Sequence, residues 1–270
     1  MLTPVENYPA LLHTLKGHRT LIVADLHLGW EMNLAGKGIH IPSQSHKILQ
    51  KLLHLIRTTQ PKTLVVLGDV KHTIAKAESG EWKDIPEFFE SLMTHISDIQ
   101  IIRGNHDGNL EPLLPPTVHL HPSTGIALNG TGVFHGHTWP GRRLTDCPTL
   151  VMGHVHPTVA FRDRLGFLIT TPVWVKAKID AAKFKTAYTK HRRSKSTAST
   201  EDSHTEPRTR QLFIMPCFND FLGGRPINRK QAHSYIGPIL RSKAVDINNG
   251  HAYLLDGTFL GTIAQLTALD

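Results

Sequence analysis

Three short apolar runs organise the first hundred residues: TLIVAD at 20–25, TLVVLGD at 63–69 and DIQIIRG at 98–104. Each is nearly continuous in Leu, Ile and Val and is bounded by Gly, Pro or polar residues, the pattern of strands buried on both faces. Between the first two lies SQSHKILQKLLHLIRTTQP, where Ile48, Leu49, Leu52, Leu53 and Ile56 recur at helical spacing. Ser43 or Ser45 is placed to cap its start, and Pro61 lies beyond its end. Between the second and third runs, DIPEFFESLMTHI carries a stripe of Phe88, Phe89, Leu92 and Ile96, with Asp84 as the expected cap. Strand, helix, strand, helix, strand is an α/β beginning.

The second half changes character. VHLHP, GIALNGTGVFHG, TLVMGH, FLITTPVWVKAKI and QLFIMP read as strands joined by short turns, and AYLLDGTFLGTIAQL as a closing hairpin around Asp256-Gly257. The expected fold class is α/β: a layered α+β arrangement of two packed sheets, the first fed by crossovers, with helices outside in an α/β/β/α order. One domain over residues 1–270 accommodates it. No run approaches the length of a membrane span. The N-terminus lacks the basic and apolar segments of a signal peptide. Cys147 and Cys217 are the two cysteines, too few for a disulfide framework, so a cytoplasmic setting is expected.

The net charge of +8 invites a nucleic-acid reading. Residues 183–210, KFKTAYTKHRRSKSTASTEDSHTEPRTR, hold eight Lys or Arg against three acids and so carry +5 of it. That segment, rich in Ser, Thr and Lys, reads as a flexible basic insertion. The rest of the chain is only weakly basic.

The polar residues at the strand ends then line up. Asp25 and His27 follow the first run, Asp69 ends the second, and Asn105, His106 and Asp107 follow the third. Later strands end in His135 and His137, and in His154 and His156. In α/β sheets that edge gathers sites, because strand ends hold loop residues rigidly in one crevice. Asp25, His27, Asp69, Asn105, His135, His154 and His156 make a hard-to-borderline donor set without thiolate, suited to Mn²⁺, Zn²⁺ or Fe, and numerous enough for two divalent ions.

In this order, D-x-H, G-D, G-N-H-D, H and G-H-x-H, the motifs resemble the calcineurin-like metallophosphoesterases. Together ADLHLGWE, GDVKH, RGNHDG, FHGHTWP, MGHVHP, MPCFND and LLDGT resemble one branch, the DNA-ligase-associated metallophosphoesterases of bacteria and their archaeal relatives, linked to large helicase-related proteins. The resemblance implies one metal on Asp25, His27 and His156, the other on Asn105, His135 and His154, and Asp69 bridging. Such a pair supplies a phosphate clamp and a water acidic enough to attack phosphorus in line. His106 is then the general acid for the leaving oxygen, worth about 10²–10⁴-fold, with Asp107 expected to hold the other ring nitrogen.

His137, Lys71, His72, Arg142 and Arg143 are further candidates for contact with substrate or support of the ligands, and Trp30 and Trp139 adjoin ligand loops, where packing is the first expectation. The branch implies single-stranded or damaged DNA, cut as a phosphodiester with Mn²⁺ in DNA repair, with a helicase or ligase as associated partner. A small-molecule or nucleotide phosphoesterase is the alternative on the same site. A non-catalytic scaffold is a third reading, which a general acid and seven ligands oppose. The apolar and His-rich surface admits a homodimer.

Overall fold

The three apolar runs lie side by side in the computed structural model, which describes residues 1–35, 37–74, 79–195, 207–229 and 236–269. The first sheet contains β1 (Leu2–Pro4), β2 (Ala10–Leu15), β3 (His18–Ala24), β4 (Thr63–Leu67), β5 (Asp98–Ile102) and β6 (His119–His121), in that spatial order. β1 to β3 are antiparallel and β3 to β6 parallel. After the short α1 (Met32–Ala35), α2 (Ser45–Thr59) links β3 to β4, and α3 (Ser79–Met93) links β4 to β5. Alternation explains why these strands are apolar throughout. Leu21, Val23, Leu64, Val66, Ile99 and Ile101 pack with α2 and α3. Their neighbours Ile22, Ala24, Val65, Leu67 and Ile102 face the other way, into a second core.

The second half of the chain supplies the far side of that core. It contains β7 (Ile126–Leu128), β8 (Thr131–Phe134), β9 (Thr149–Met152), β10 (Pro157–Arg162) and β11 (Leu168–Pro172). Beyond them come β12 (Trp174–Ile179), α4 (Ala181–Lys195), β13 (Gln211–Ile214), β14 (Arg225–Pro226), α5 (Pro238–Arg241), β15 (Val245–Tyr253), β16 (Phe259–Thr262) and α6 (Ile263–Ala268). Seven of these strands form one sheet, β16-β15-β12-β13-β9-β8-β7, and three form a small one, β11-β10-β14. Val133, Val151, Trp174 and Met215 meet the first sheet. Phe134, Leu150, Val175, Leu212 and Ile214 face a third core that takes in Phe184, Ile239 and Ile263 from α4, α5 and α6. The layers therefore run α/β/β/α. Among the described residues no helix is long and apolar enough to cross a membrane.

Three local expectations are corrected. Residues 183–195 form most of α4 instead of a flexible insertion; Asp180 caps it by accepting from the backbone N–H groups of Ala182 and Lys183, and Phe184 and Tyr188 are buried. Residues 196–206 of that segment lie outside the described residues, whereas Thr209 is buried and donates its hydroxyl to the carbonyls of Thr145 and Cys147. Asp84 does not cap α3, which begins at Ser79; its carboxylate instead accepts from the hydroxyls of Ser43 and Ser45 at the start of α2. The closing segment is a hairpin as expected, but its tail turns into α6 through a Thr262–Gln265 capping box.

Candidate metal centre

The site is built where strands of both large sheets end. The chain after β3 stays alongside the chain after β4: His27 N–H donates to the Asp69 carbonyl at 2.8 Å and Leu28 N–H to that of Val70 at 2.8 Å. Asp25, His27, Asp69, His154 and His156 all sit at positive φ, between 45° and 69°. Left-handed backbone costs a non-glycine residue about 1–2 kcal/mol, and its concentration in five candidate ligands marks a place where geometry is held against local preference. The adjoining glycines allow the loops to close. A Cβ on Gly104 would lie 2.2 Å from the Asp69 backbone nitrogen, and one on Gly153 would lie 2.7 Å from Asp25 Oδ2.

The side chains converge in three groups, each with its ligand atoms within 4.8 Å of one another: Asp25, His27 and His156; Asp69, His135 and His154; and His27, His72 and His106. His135 Nε2 lies 3.0 Å from Asp25 Oδ1 and 3.4 Å from Asp69 Oδ2, so the first two groups share a wall. His156 Nε2 is 3.5 Å from Asp25 Oδ2, and His27 Nε2 is 3.7 Å from Asp69 Oδ2. That last distance is too long for a hydrogen bond, and His27 Nε2 is buried with no hydrogen-bond partner. An orphaned imidazole nitrogen among carboxylates and imidazoles, without thiolate, fits a divalent metal ion.

The electrostatics point the same way. Burial opposes charge on Asp25, yet the nearby His156 and hydrogen bonds from His135 and His156 hold its carboxyl well below the usual range. Asp69, also opposed by burial, is brought down to about 2 by its hydrogen bond from His135. Burial disfavours an imidazolium at His135 and His156, but hydrogen bonds to Asp25 and Asp69 raise the first to about 10, and the Asp25 charge raises the second to about 11. Burial takes His27 down to about 3, and His154 and His137 to about 4. Two carboxylates thus face two imidazoles whose protonated form they favour. Those protons occupy positions where positive charge is wanted, and metal ions compete for the same nitrogens.

Of the remaining expected residues, Asn105 is exposed on the β5 loop, beside the site and not enclosed with the imidazoles. Asp107 does not orient His106. It is fully buried, accepts from the N–H groups of Gly104 at 2.7 Å and Val70 at 2.8 Å, and so ties the β5 loop to the β4 loop. Burial, with the Asp69 charge behind it, pushes its carboxyl up to about 6. His106 Nδ1 instead donates to the carbonyl of His72, while its Nε2 stands 3.9 Å from Asp69 Oδ2. A carbonyl only accepts, so Nδ1 carries a hydrogen in either charge state and Nε2 is the nitrogen that exchanges its proton.

Lys71 is not available to a phosphate, because it is fully buried with Nζ on the carbonyls of Thr73 and Ile74. His72 does belong to the cluster, with Nδ1 3.3 Å from His27 Nδ1. His137 supports it from behind, Nδ1 to His135 Nδ1 at 2.8 Å. Arg142 and Arg143 lie in a short 3₁₀ turn, half-buried and exposed respectively. Trp30 stacks on Phe221, and Trp139 packs on Phe184, Tyr188 and His191.

Sequence reasoning missed several supports. Glu81 accepts from the backbone of His72 and Thr73, and Asn219 donates to the Leu26 carbonyl at 2.9 Å. The Cys217 thiol lies 3.1 Å from the Asp25 carbonyl oxygen. Asn228 pairs with both backbone groups of Ala160. A buried amide far along the chain has no local signal beyond being polar in an apolar setting, as Asn219 is in MPCFND.

Residues 18–168, more than half of the chain, match the family model described as calcineurin-like phosphoesterase. Among solved structures the chain is similar to the nuclease MPE of Pseudomonas putida, at 18% identity and a TM-score of 0.53, over 95% of this chain and 98% of that one. It is also similar to YfcE, a phosphoesterase from E. coli, at 22% identity and a TM-score of 0.34, over 53% of this chain and 73% of that one. No curated protein matches the chain.

Proposed function

The chain belongs to the calcineurin-like phosphoesterase family, and on that premise we propose that this metal-dependent phosphoesterase is a DNA phosphodiesterase, acting on single-stranded or damaged strands with two divalent ions, Mn²⁺ foremost. The observation that carries the reading is the meeting of two ligand groups, Asp25–His27–His156 and Asp69–His135–His154, beside His106. Asn105, on the rim, completes the second group in the proposal. When bound, such a pair of ions supplies charge neutralisation at the phosphate and an acidic water as nucleophile.

The protein's own groups do the rest. His106 hands a proton from Nε2 to the leaving oxygen, held in line by its Nδ1–H bond to the His72 carbonyl. His72 turns Nδ1 toward His27, leaving Nε2 for a phosphate oxygen. Asp107 keeps the two acidic loops in register through the backbone. The choice of DNA over a small ester is drawn from the motif resemblance, and the similarity in fold to the Pseudomonas putida nuclease, along nearly all of this chain, is in keeping with a nuclease.

The test is turnover by metal-stripped protein given Mn²⁺, with an end-labelled single-stranded oligonucleotide and with bis- and mono-p-nitrophenyl phosphate, His106→Ala in parallel. Cleavage of the oligonucleotide and the diester by wild type, lost in the variant, is the expected result. Hydrolysis of the small esters alone removes DNA from the reading and leaves a small-molecule phosphoesterase. No turnover with any divalent ion overturns the reading and leaves a non-catalytic scaffold.

A further inference from the structure

A second concavity, of about 1310 Å³, opens between β12, the start of α4, β14, α5 and β15. Five cations line it: Lys178, Lys183, Arg225, Arg241 and Lys243. Two carboxylates, Asp180 and Asp246, also line it, which leaves five positive against two negative side chains. Asp180 caps α4 and pairs with Lys183 at 3.4 Å, and Asp246 accepts from the Asn249 side chain at 3.0 Å. The volume exceeds the roughly 300–1,000 Å³ of small-molecule sites.

The cleft adjoins the metal centre at two points. Arg225 N–H donates to the His156 carbonyl at 3.1 Å. On the other side a Cβ on Gly237, the residue before α5, would lie 2.5 Å from the Gly136 carbonyl oxygen and 3.8 Å from His154 Cδ2. Arg225 of the cleft wall and the residue next to Ile236 thus lie against the loops that carry His156 and His154.

We infer that this cleft is a second, non-catalytic binding site, holding the phosphodiester backbone of the DNA strand that flanks the scissile bond. It rests on the nuclease reading above. Its contacts are to phosphates and so set position without reading sequence. Each phosphate neutralised contributes a slope of about −0.7 in log affinity against log salt for a single strand.

The experiment measures binding of a fluorescent oligothymidylate to the metal-free full chain by anisotropy across a salt series, for wild type and for Lys183→Gln/Arg241→Gln/Lys243→Gln. The triple variant is expected to bind about 10- to 100-fold more weakly near 0.1 M salt and to show a slope shallower by about 2. Arg241→Gln alone, on the exposed side of α5, is expected to lower the slope by about 0.7. With Mn²⁺ the triple variant should raise KM for the oligonucleotide and leave turnover of bis-p-nitrophenyl phosphate unchanged. Equal affinity and slope in wild type and both variants overturn the inference, as does failure of wild type to bind the oligonucleotide. Binding by wild type that the variants weaken, without oligonucleotide cleavage, upholds the cleft and overturns the nuclease reading instead.

Discussion

Replacing His27 by glycine and by alanine separates what this residue costs the fold from what it contributes to metal binding. His27 sits at φ 45°, 3% exposed, with Nε2 unpaired. Left-handed backbone costs about 1–2 kcal/mol, and a buried polar atom without a partner about 1–3 kcal/mol. The metal-free protein therefore carries about 2–5 kcal/mol at one position. Against this stands the packing of the imidazole on the rings of His72, His106 and His156, at centroid distances of 5.2, 4.8 and 5.2 Å. Glycine relieves both costs, alanine only the second. After deducting about 0.4–1 kcal/mol for the unfolded-state freedom of glycine, His27→Gly should exceed His27→Ala by up to about 1.6 kcal/mol. That is a Tm difference of up to about 6 °C. The assay is thermal unfolding of metal-stripped proteins, repeated with Mn²⁺. Wild type at about 100 times Kd gains about 3 kcal/mol from the metal, and both variants gain less. A more stable alanine variant, or a metal-free wild type exceeding both by more than about 3 kcal/mol, refutes the reasoning from strain and an orphaned nitrogen.

Metal binding near pH 7 should release about two protons, those of His135 and His156, and should tighten as pH rises; calorimetry in buffers of different ionisation enthalpy counts them. Because both imidazoles are raised to about 10 and 11 from 6.5, their stabilisation of the metal-free fold is fully present below pH 6.5. It should fade as pH climbs toward 10 and 11, a decline visible in urea midpoints and absent with metal bound. Gly104→Ala forces a Cβ against the Asp69 backbone and should cost about 1–3 kcal/mol of stability together with most of the Mn²⁺-dependent turnover; near-normal kcat with this variant would contradict the packing of the two loops. Phe184→Ala, removing a fully buried ring from α4, should cost about 3–5 kcal/mol in denaturant unfolding, and a loss below about 1 kcal/mol would mean that this helix is not docked.

What could be read from the chain follows from what periodicity and order encode. The buried strands were legible because Leu21 to Ala24 and Leu64 to Leu67 are apolar on both faces, and the site because its residues sit just past those strands. The helix over 181–195 was hidden by its Lys and Arg content and by the Ser- and Thr-rich stretch that follows it. Its real signals are Asp180 as cap and Phe184 and Tyr188 four residues apart. Adjacency misled at Asp107: neighbouring loop side chains diverge, so His106 and Asp107 found separate partners. Lys71, a candidate for substrate contact because it follows Asp69, is likewise fully buried. Asn219 acts on a loop far from it in sequence, Glu81 on one nine residues back, and no spacing rule connects them to Leu26 or His72.

The most direct test of the account is anomalous diffraction from crystals equilibrated with Mn²⁺. It should give two peaks about 3.5–4 Å apart, one against Asp25, His27 and His156 and the other against Asp69, His135 and His154, with His106 ligating neither. A single peak, or one seated among His27, His72 and His106, would contradict it.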